Sequence, residues 1–134
     1  MEKTFGVAVK ALIQNDEGKF LVIFKSDNED IGPNEIDIPG GRVKFGEEVE
    51  TCLLRKVKEE TGLEVRLDTI SKTWSLVKEN FHLIGITFIA TSVGGKIKLS
   101  NEHTLFRWVD KNEIINGDYP KWIKKEFSSV SISK

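Results

Sequence analysis

Arg55, Lys56, Glu59 and Glu60 fall inside the run RKVKEETG, residues 55–62. Adjacent carboxylates are a common means of holding a hard divalent cation, while a cation one turn before a carboxylate is a common surface ion pair. In a helix advancing roughly 100° per residue, Lys56 stands about 60° around from Glu59 and about 40° from Glu60. The three therefore project onto one patch. Glu60 also falls on the apolar stripe set by Val49, Leu53 and Val57, where an unpaired carboxylate is costly to bury, so something cationic must compensate. Lys56 with Glu60 and Arg55 with Glu59 would do so as two helical ion pairs, each worth only about 0.2–0.5 kcal/mol when exposed. A metal ion is the other candidate.

The residues before the helix bear on that choice. PGGRVKFGEE, residues 39–48, puts three glycines ahead of an acidic helix start. Glycine lets the backbone turn sharply and present carbonyl and amide groups without a Cβ in the way. Mg²⁺ takes oxygen ligands from a few carboxylates and carbonyls and completes its shell with water and phosphate. A glycine-loop carbonyl beside paired helical glutamates supplies that donor set. No Gly-Lys-Ser/Thr triplet occurs in the chain, so the loop is not a P-loop.

The segment GRVKFGEEVETCLLRKVKEETGL, Gly41 to Leu63, resembles the Nudix box, G-x5-E-x7-R-E-U-x-E-E-x-G-U with U a bulky aliphatic residue. Gly41, Glu47, Arg55, Val57, Glu59, Glu60, Gly62 and Leu63 match, eight of the nine specified positions. Pro39 and Gly40 precede the box, and NEHTLFRWVDKNEI, residues 101–114, resembles the later Glu-then-Trp segment of the family. The resemblance implies an α/β/α sandwich around a mixed sheet and hydrolysis of a nucleoside diphosphate linked to some other group. It implies Mg²⁺ or Mn²⁺ as cofactor. By position, Glu59 and Glu60 would be metal ligands, the Gly40 carbonyl a further one, and Glu47 and Arg55, with Gly41, would support the cluster. Glu102, six residues before Trp108, corresponds to an acidic ligand or base in some members. Arg42 and Lys44, inside the glycine loop, are candidate phosphate contacts, with solvated surface charge as the rival reading.

Lys56 is the one departure, standing where the pattern has glutamate. The change removes an acceptor and adds a cation, and a protonated lysine cannot bind a metal or accept a proton. At an effective dielectric of about 20, unit charges about 4 Å apart interact by about 4 kcal/mol at the upper end, enough to weaken a divalent site. Fewer bound metals than usual are expected. Three readings follow in order of preference. Glu59, Glu60 and Gly40 still hold metal, with Glu102 or another loop acid as base. Alternatively, Lys56 pairs with the glutamates and the protein binds nucleotides without cleaving them, or the box is only a scaffold for a partner surface.

Positioning these residues requires elements the sequence also predicts. FGVAVKALI, NDEGKF and LVIFKS read as a hairpin, because β-branched runs flank a turn cluster. Residues 27–46 hold four of the 11 glycines and two of the three prolines and are expected to be mostly loop, with Asp27 to Glu35 helping to line a substrate pocket. A helix is expected from Glu47 to Thr61, with Val49, Cys52, Leu53 and Val57 as its core stripe and Gly62 as its terminator. Residues 63–93 read as further strands, followed by a GGK turn and the strand-like IKLS. Asp110 and Glu113 form a capping-box pattern for a short helix, and Pro120 suits the first position of a last helix holding Trp122, Ile123 and Phe127. Strands, loop and helix, more strands, then helices suggest helices packed on a central sheet.

Composition sets the outer bounds. A chain of 134 residues, 39% hydrophobic and 31% charged, is the size of one domain, 1–134. With 20 Lys and Arg against 21 Asp and Glu, no global basic field draws it to a nucleic acid polymer or to anionic lipid. A nucleoside diphosphate-linked small molecule is the expected partner, bound by a monomer or a homodimer. Cys52, the only cysteine, allows no internal disulfide and reads as a small core residue. MEKTFGVAVK lacks the features of a secretory signal and LIGITFIA is too short to span a bilayer, so a cytoplasmic location is expected. His82 and His103 are too isolated to suggest a metal pair. Trp74, Phe81 and Trp108 could stack a base, although strand aromatics are more often core.

Overall fold

The computed structural model describes residues 2–26 and 35–130. The expected pocket-lining loop, Asp27 to Glu35, lies outside them apart from Glu35. In chain order the elements are β1 (Thr4–Gln14), β2 (Phe20–Lys25), β3 (Ile36–Asp37), β4 (Gly40–Arg42), α1 (Val49–Thr61), β5 (Leu63–Lys78), β6 (Phe81–Gly95), β7 (His103–Val109), α2 (Lys111–Asn116) and α3 (Lys121–Ser128).

The opening turn is built as its residues suggest. The Asn15 side chain accepts N–H bonds from Glu17 and Lys19, and Gly18 takes the left-handed conformation its lack of Cβ permits (φ 78°). Beyond the turn, however, β1 and β2 pair only at Gln14 and Phe20. Residues 36–42 enter between them: β3 pairs with β2 at Ile23–Asp37, and β4 pairs with β1 at Lys10–Gly40. The glycine-rich stretch expected to be mostly loop thus supplies two short strands, because its backbone groups are buried there and need partners. On its other edge β1 runs parallel to β6 along its whole length, β6 pairs antiparallel with β5, and β7 pairs with β2.

Alternation along β1 sends side chains to both faces. Val9, Ala11 and Ile13 pack with Cys52, Leu53 and Val57 of α1, while Leu12 packs with Ile114 of α2 and Ile123 and Phe127 of α3. Helices therefore cover both faces of a mixed sheet, the sandwich expected, and Cys52 lies in the core.

Some boundaries moved, and one expected cap lacks its bond. Helix α1 begins at Val49 rather than Glu47, with Glu48 as N-cap, which leaves the Glu47 carboxylate in the loop. IKLS joins no strand; instead the N–H groups of Lys98 and Ser100 donate to the carbonyls of Thr61 and Glu60 at 2.8 and 3.2 Å. Those are carbonyls that the end of a helix leaves without intrahelical partners. Asp110 is the N-cap of α2 but its side chain makes no capping bond, and Pro120 is the N-cap of α3 rather than its first residue. Trp122 faces outward, 45% exposed, while Ile123 and Phe127 are buried.

Candidate active site

Glu60 reaches the site because α1 ends there. Gly62 adopts φ 79° and returns its N–H to Lys58, closing the helix one turn after Lys56. Glu60 is only 6% exposed. Its Oε1 accepts the Gly40 N–H at 3.1 Å, and its Oε2 lies 3.7 Å from Lys56 Nζ. Burial raises its pKa, and the Gly40 N–H with the charges of Lys10, Lys56 and His103 oppose that rise. Gly40 itself has φ 155°, and a Cβ there would lie 2.0 Å from the Val9 carbonyl oxygen. Only glycine lets β4 lie this close to β1. At Gly41 a Cβ would lie 2.4 Å from Lys56 Cε, so the missing side chain at Gly41 makes the space that the lysine stem fills.

Glu59 is half exposed, with Arg55 Nη1 3.1 Å from its Oε1. The same guanidinium grips Glu47 in a fork, Nε to Oε2 at 3.0 Å and Nη2 to Oε1 at 3.2 Å. Glu47 also accepts the Lys44 N–H at 3.1 Å. The bonds from Arg55 and Lys44 hold its pKa down at about 2, and Glu47 in turn raises that of Arg55. Arg55 is thereby pinned between the loop and Glu59.

A third group was not singled out as a unit by the sequence. Asp37 on β3 pairs with Lys10 Nζ through Oδ1 and with His103 Nε2 through Oδ2, each at 3.2 Å. Lys10 Nζ also donates to the Ile38 carbonyl at 3.0 Å. Burial works against the charge of Asp37, but the bonds from His103, Lys10 and the Ile38 N–H outweigh it and bring its pKa to about 2. A lysine inside the apolar run VAVKALI was the available signal, since such a cation needs a buried acid nearby.

The contacts form two sets carried by α1: Gly40, Gly41, Lys56 and Glu60 at the start of β4, and Glu47, Arg55 and Glu59 beside them on the helix and the loop before it. Among the described residues no three His, Cys, Asp or Glu side chains converge as a ready cage for a metal, so Glu102, exposed before β7, is not drawn into a cluster with Glu59 and Glu60. The Arg42 guanidinium lies 4.6 Å from the centroid of the Phe81 ring, and Lys44 is exposed. Trp108 packs against the α1-side core.

Comparison with known proteins bears on the chain as a whole. A family model described as NUDIX domain matches residues 4–129. The chain belongs to the Nudix family. An ADP-ribose pyrophosphatase of Methanocaldococcus jannaschii is 32% identical over 87% of this chain and 73% of its own length. A nucleoside triphosphatase, NudI, of Escherichia coli is 29% identical over 80% of this chain and 83% of its own. The crystal structure of a MutT protein from Methanosarcina mazei superposes with a TM-score of 0.82 at 30% identity, covering 95% of this chain and 93% of that one. This Nudix chain is a hydrolase by family, and its box is the ridge just described.

Proposed function

We propose that this chain hydrolyses a nucleoside diphosphate linked to a second group, water attacking one phosphorus of the phosphoanhydride, with Mg²⁺ or Mn²⁺ as cofactor. The observation that carries this is Glu60, a buried carboxylate oriented by the Gly40 N–H and placed next to Glu59 in sequence. The relatives named as a nucleoside triphosphatase and an ADP-ribose pyrophosphatase support the same bond class.

The donor chemistry fits the metal in its sparse mode, since Mg²⁺ is commonly held by one or two carboxylates with water and substrate phosphate completing the shell. Glu59 and Glu60 would hold it, with the Gly40 carbonyl and Glu102 as further candidates. When bound, such an ion neutralises phosphate charge and acidifies a water. The chain's own residues do the rest. Arg55 orients Glu59, Glu47 fixes Arg55, and the Gly40 N–H fixes one oxygen of Glu60 while leaving the other toward Lys56. Arg42 and Lys44 are the proposed phosphate contacts, and Glu102 the proposed base.

A second reading is favoured by one observation: the Lys56 ammonium lies 3.7 Å from Glu60, where it already neutralises that carboxylate. On this reading the protein binds nucleotides without cleaving them. The two are separated by a hydrolysis assay over a panel of nucleoside diphosphate compounds, with Mg²⁺ or with chelator, on wild type, Glu60→Gln and Lys56→Glu. Turnover that needs Mg²⁺ and falls by about 100-fold in Glu60→Gln supports the hydrolase. Turnover confined to Lys56→Glu marks the natural chain as a degenerate hydrolase, and saturable nucleotide binding without turnover favours the second reading.

A further inference from the structure

Arg55 and Lys56 are neighbours on α1, yet their donors are used differently. Arg55 has Nε, Nη1 and Nη2 engaged by Glu47 and Glu59 at 3.0, 3.1 and 3.2 Å. Lys56 makes no such bond. Its Nζ lies 3.7 Å from Glu60 Oε2, beyond hydrogen-bond reach, and has no other acceptor among the described residues. An ammonium carries three N–H donors, so those of Lys56 are open to water or to a ligand. The side chain is 23% exposed, which leaves it reachable from solvent.

The stem is held while the head group is not. A Cβ at Gly41 would lie 2.4, 3.1 and 3.3 Å from Lys56 Cε, Cδ and Cγ, so the lysine runs along the Gly41 backbone for most of its length. A packed stem with a solvated head keeps a lysine charge in one place, and less freedom is then lost when a ligand arrives. An open ion pair of this kind adds little to stability, so stability alone does not account for the arrangement. The glutamate that the family pattern has at this position would set one more carboxylate beside Glu47, Glu59 and Glu60 and repel a phosphate. Lys56 sets a positive charge there instead.

We propose that Lys56 is a substrate-binding residue whose ammonium donates to a non-bridging oxygen of the diphosphate. The inference rests on the nucleoside diphosphate reading above and gives position 56 a direct contact with substrate. Lysine binds phosphate as a point charge, and here no hydrogen bond has to break before it does so. A diphosphate also carries more negative charge than the single carboxylate of Glu60, so it draws the ammonium more strongly. Because this cation is part of the chain, the diphosphate is bound even where no divalent ion is loaded.

The test is calorimetric binding of inorganic pyrophosphate to the full chain with chelator present, on wild type, Lys56→Met, Lys56→Arg and Lys56→Glu. Methionine keeps an unbranched stem over Gly41, and a thermal midpoint near that of wild type checks that the fold is kept; Lys56→Arg and Lys56→Glu carry the comparison if it is not. Wild type is expected to bind pyrophosphate without metal. Lys56→Met should bind it at least about tenfold more weakly, the scale of one charge-assisted hydrogen bond lost. Lys56→Arg should retain binding, and Lys56→Glu should abolish it. Absence of metal-free binding by wild type overturns the assignment. So does binding that is unchanged in Lys56→Met or Lys56→Glu, which would place the anion on other cations, or a loss in Lys56→Arg equal to that in Lys56→Met. Binding lost in Lys56→Met, with no Mg²⁺-dependent turnover of any nucleoside diphosphate compound, would count against the hydrolase alone. Mg²⁺-dependent turnover with pyrophosphate binding indifferent to position 56 would count against Lys56 alone.

Discussion

Asp37 shows how much one residue contributes to this site. Its carboxylate neutralises Lys10 and engages His103 in a region where Glu60 is also buried. Its folded pKa, about 2, lies below the ordinary 3.8. The folded state therefore holds fewer protons at this position than the unfolded chain through that interval. The stability it contributes is fully present above the ordinary value and is lost as pH falls through the folded one. A thermal-midpoint titration of wild type should show extra loss between about pH 4 and about pH 2. Asp37→Asn should flatten that interval and lower the midpoint at neutral pH, because Lys10 then faces an amide. Lys56 belongs to the same scale. Its stem fills the space above Gly41, so the residue type at position 56 and the absence of a side chain at position 41 are matched in volume.

At the scale of elements, the end of α1 decides where the paired glutamates point. Gly62 combines a left-handed φ with close packing, since a Cβ there would lie 2.5 Å from the Lys96 carbonyl oxygen. Gly46 has a similar φ of 81° with nothing within 4 Å of its Cβ position. The two separate backbone strain from steric contact. Gly46→Ala should cost about 1–2 kcal/mol, the penalty of left-handed backbone for an L residue. Gly62→Ala should cost more, about 2–4 kcal/mol, by adding a clash that displaces the Lys98 and Ser100 bonds to the helix end. Urea denaturation midpoints of the two variants measure the difference, and equal losses would show that the contact at Lys96 relaxes freely. The wedge of β3 and β4 between β1 and β2 is the other decisive element. It brings Asp37 and Gly40 to the ridge by pairing each with a different strand.

For the molecule as a whole, two cores share one sheet, and the site depends on both. Phe127 of α3 is fully buried and meets Phe20 edge to face at a centroid distance of 5.3 Å. Phe127→Ala should cost about 3–5 kcal/mol in denaturant unfolding, the usual loss for a buried aromatic. A loss under about 1 kcal/mol would mean that α3 contributes little to the fold's stability. Helices on opposite faces thus share the sheet that positions the carboxylate ridge.

The sequence by itself determined the helix with its paired glutamates, the glycine terminator, the family pattern and the sandwich class. These are local: they rest on spacing along one helix, on the φ a turn demands, and on side-chain periodicity, all of which a linear string records. It also marked Lys56 as the departure. Only the tertiary structure decided that the glycine stretch is a strand wedge, that IKLS satisfies the helix end rather than joining the sheet, and that Lys10, Asp37 and His103 form a unit. Those outcomes depend on which backbone groups are buried together and must find partners, and on charges brought close from positions 10, 37 and 103. Separation along the chain hides such contacts, because each residue alone reads as ordinary strand or surface. Glu126 is the clearest instance: in sequence it is one more acid on an amphipathic helix, and only packing encloses its Oε1 without a hydrogen-bond partner among the described residues.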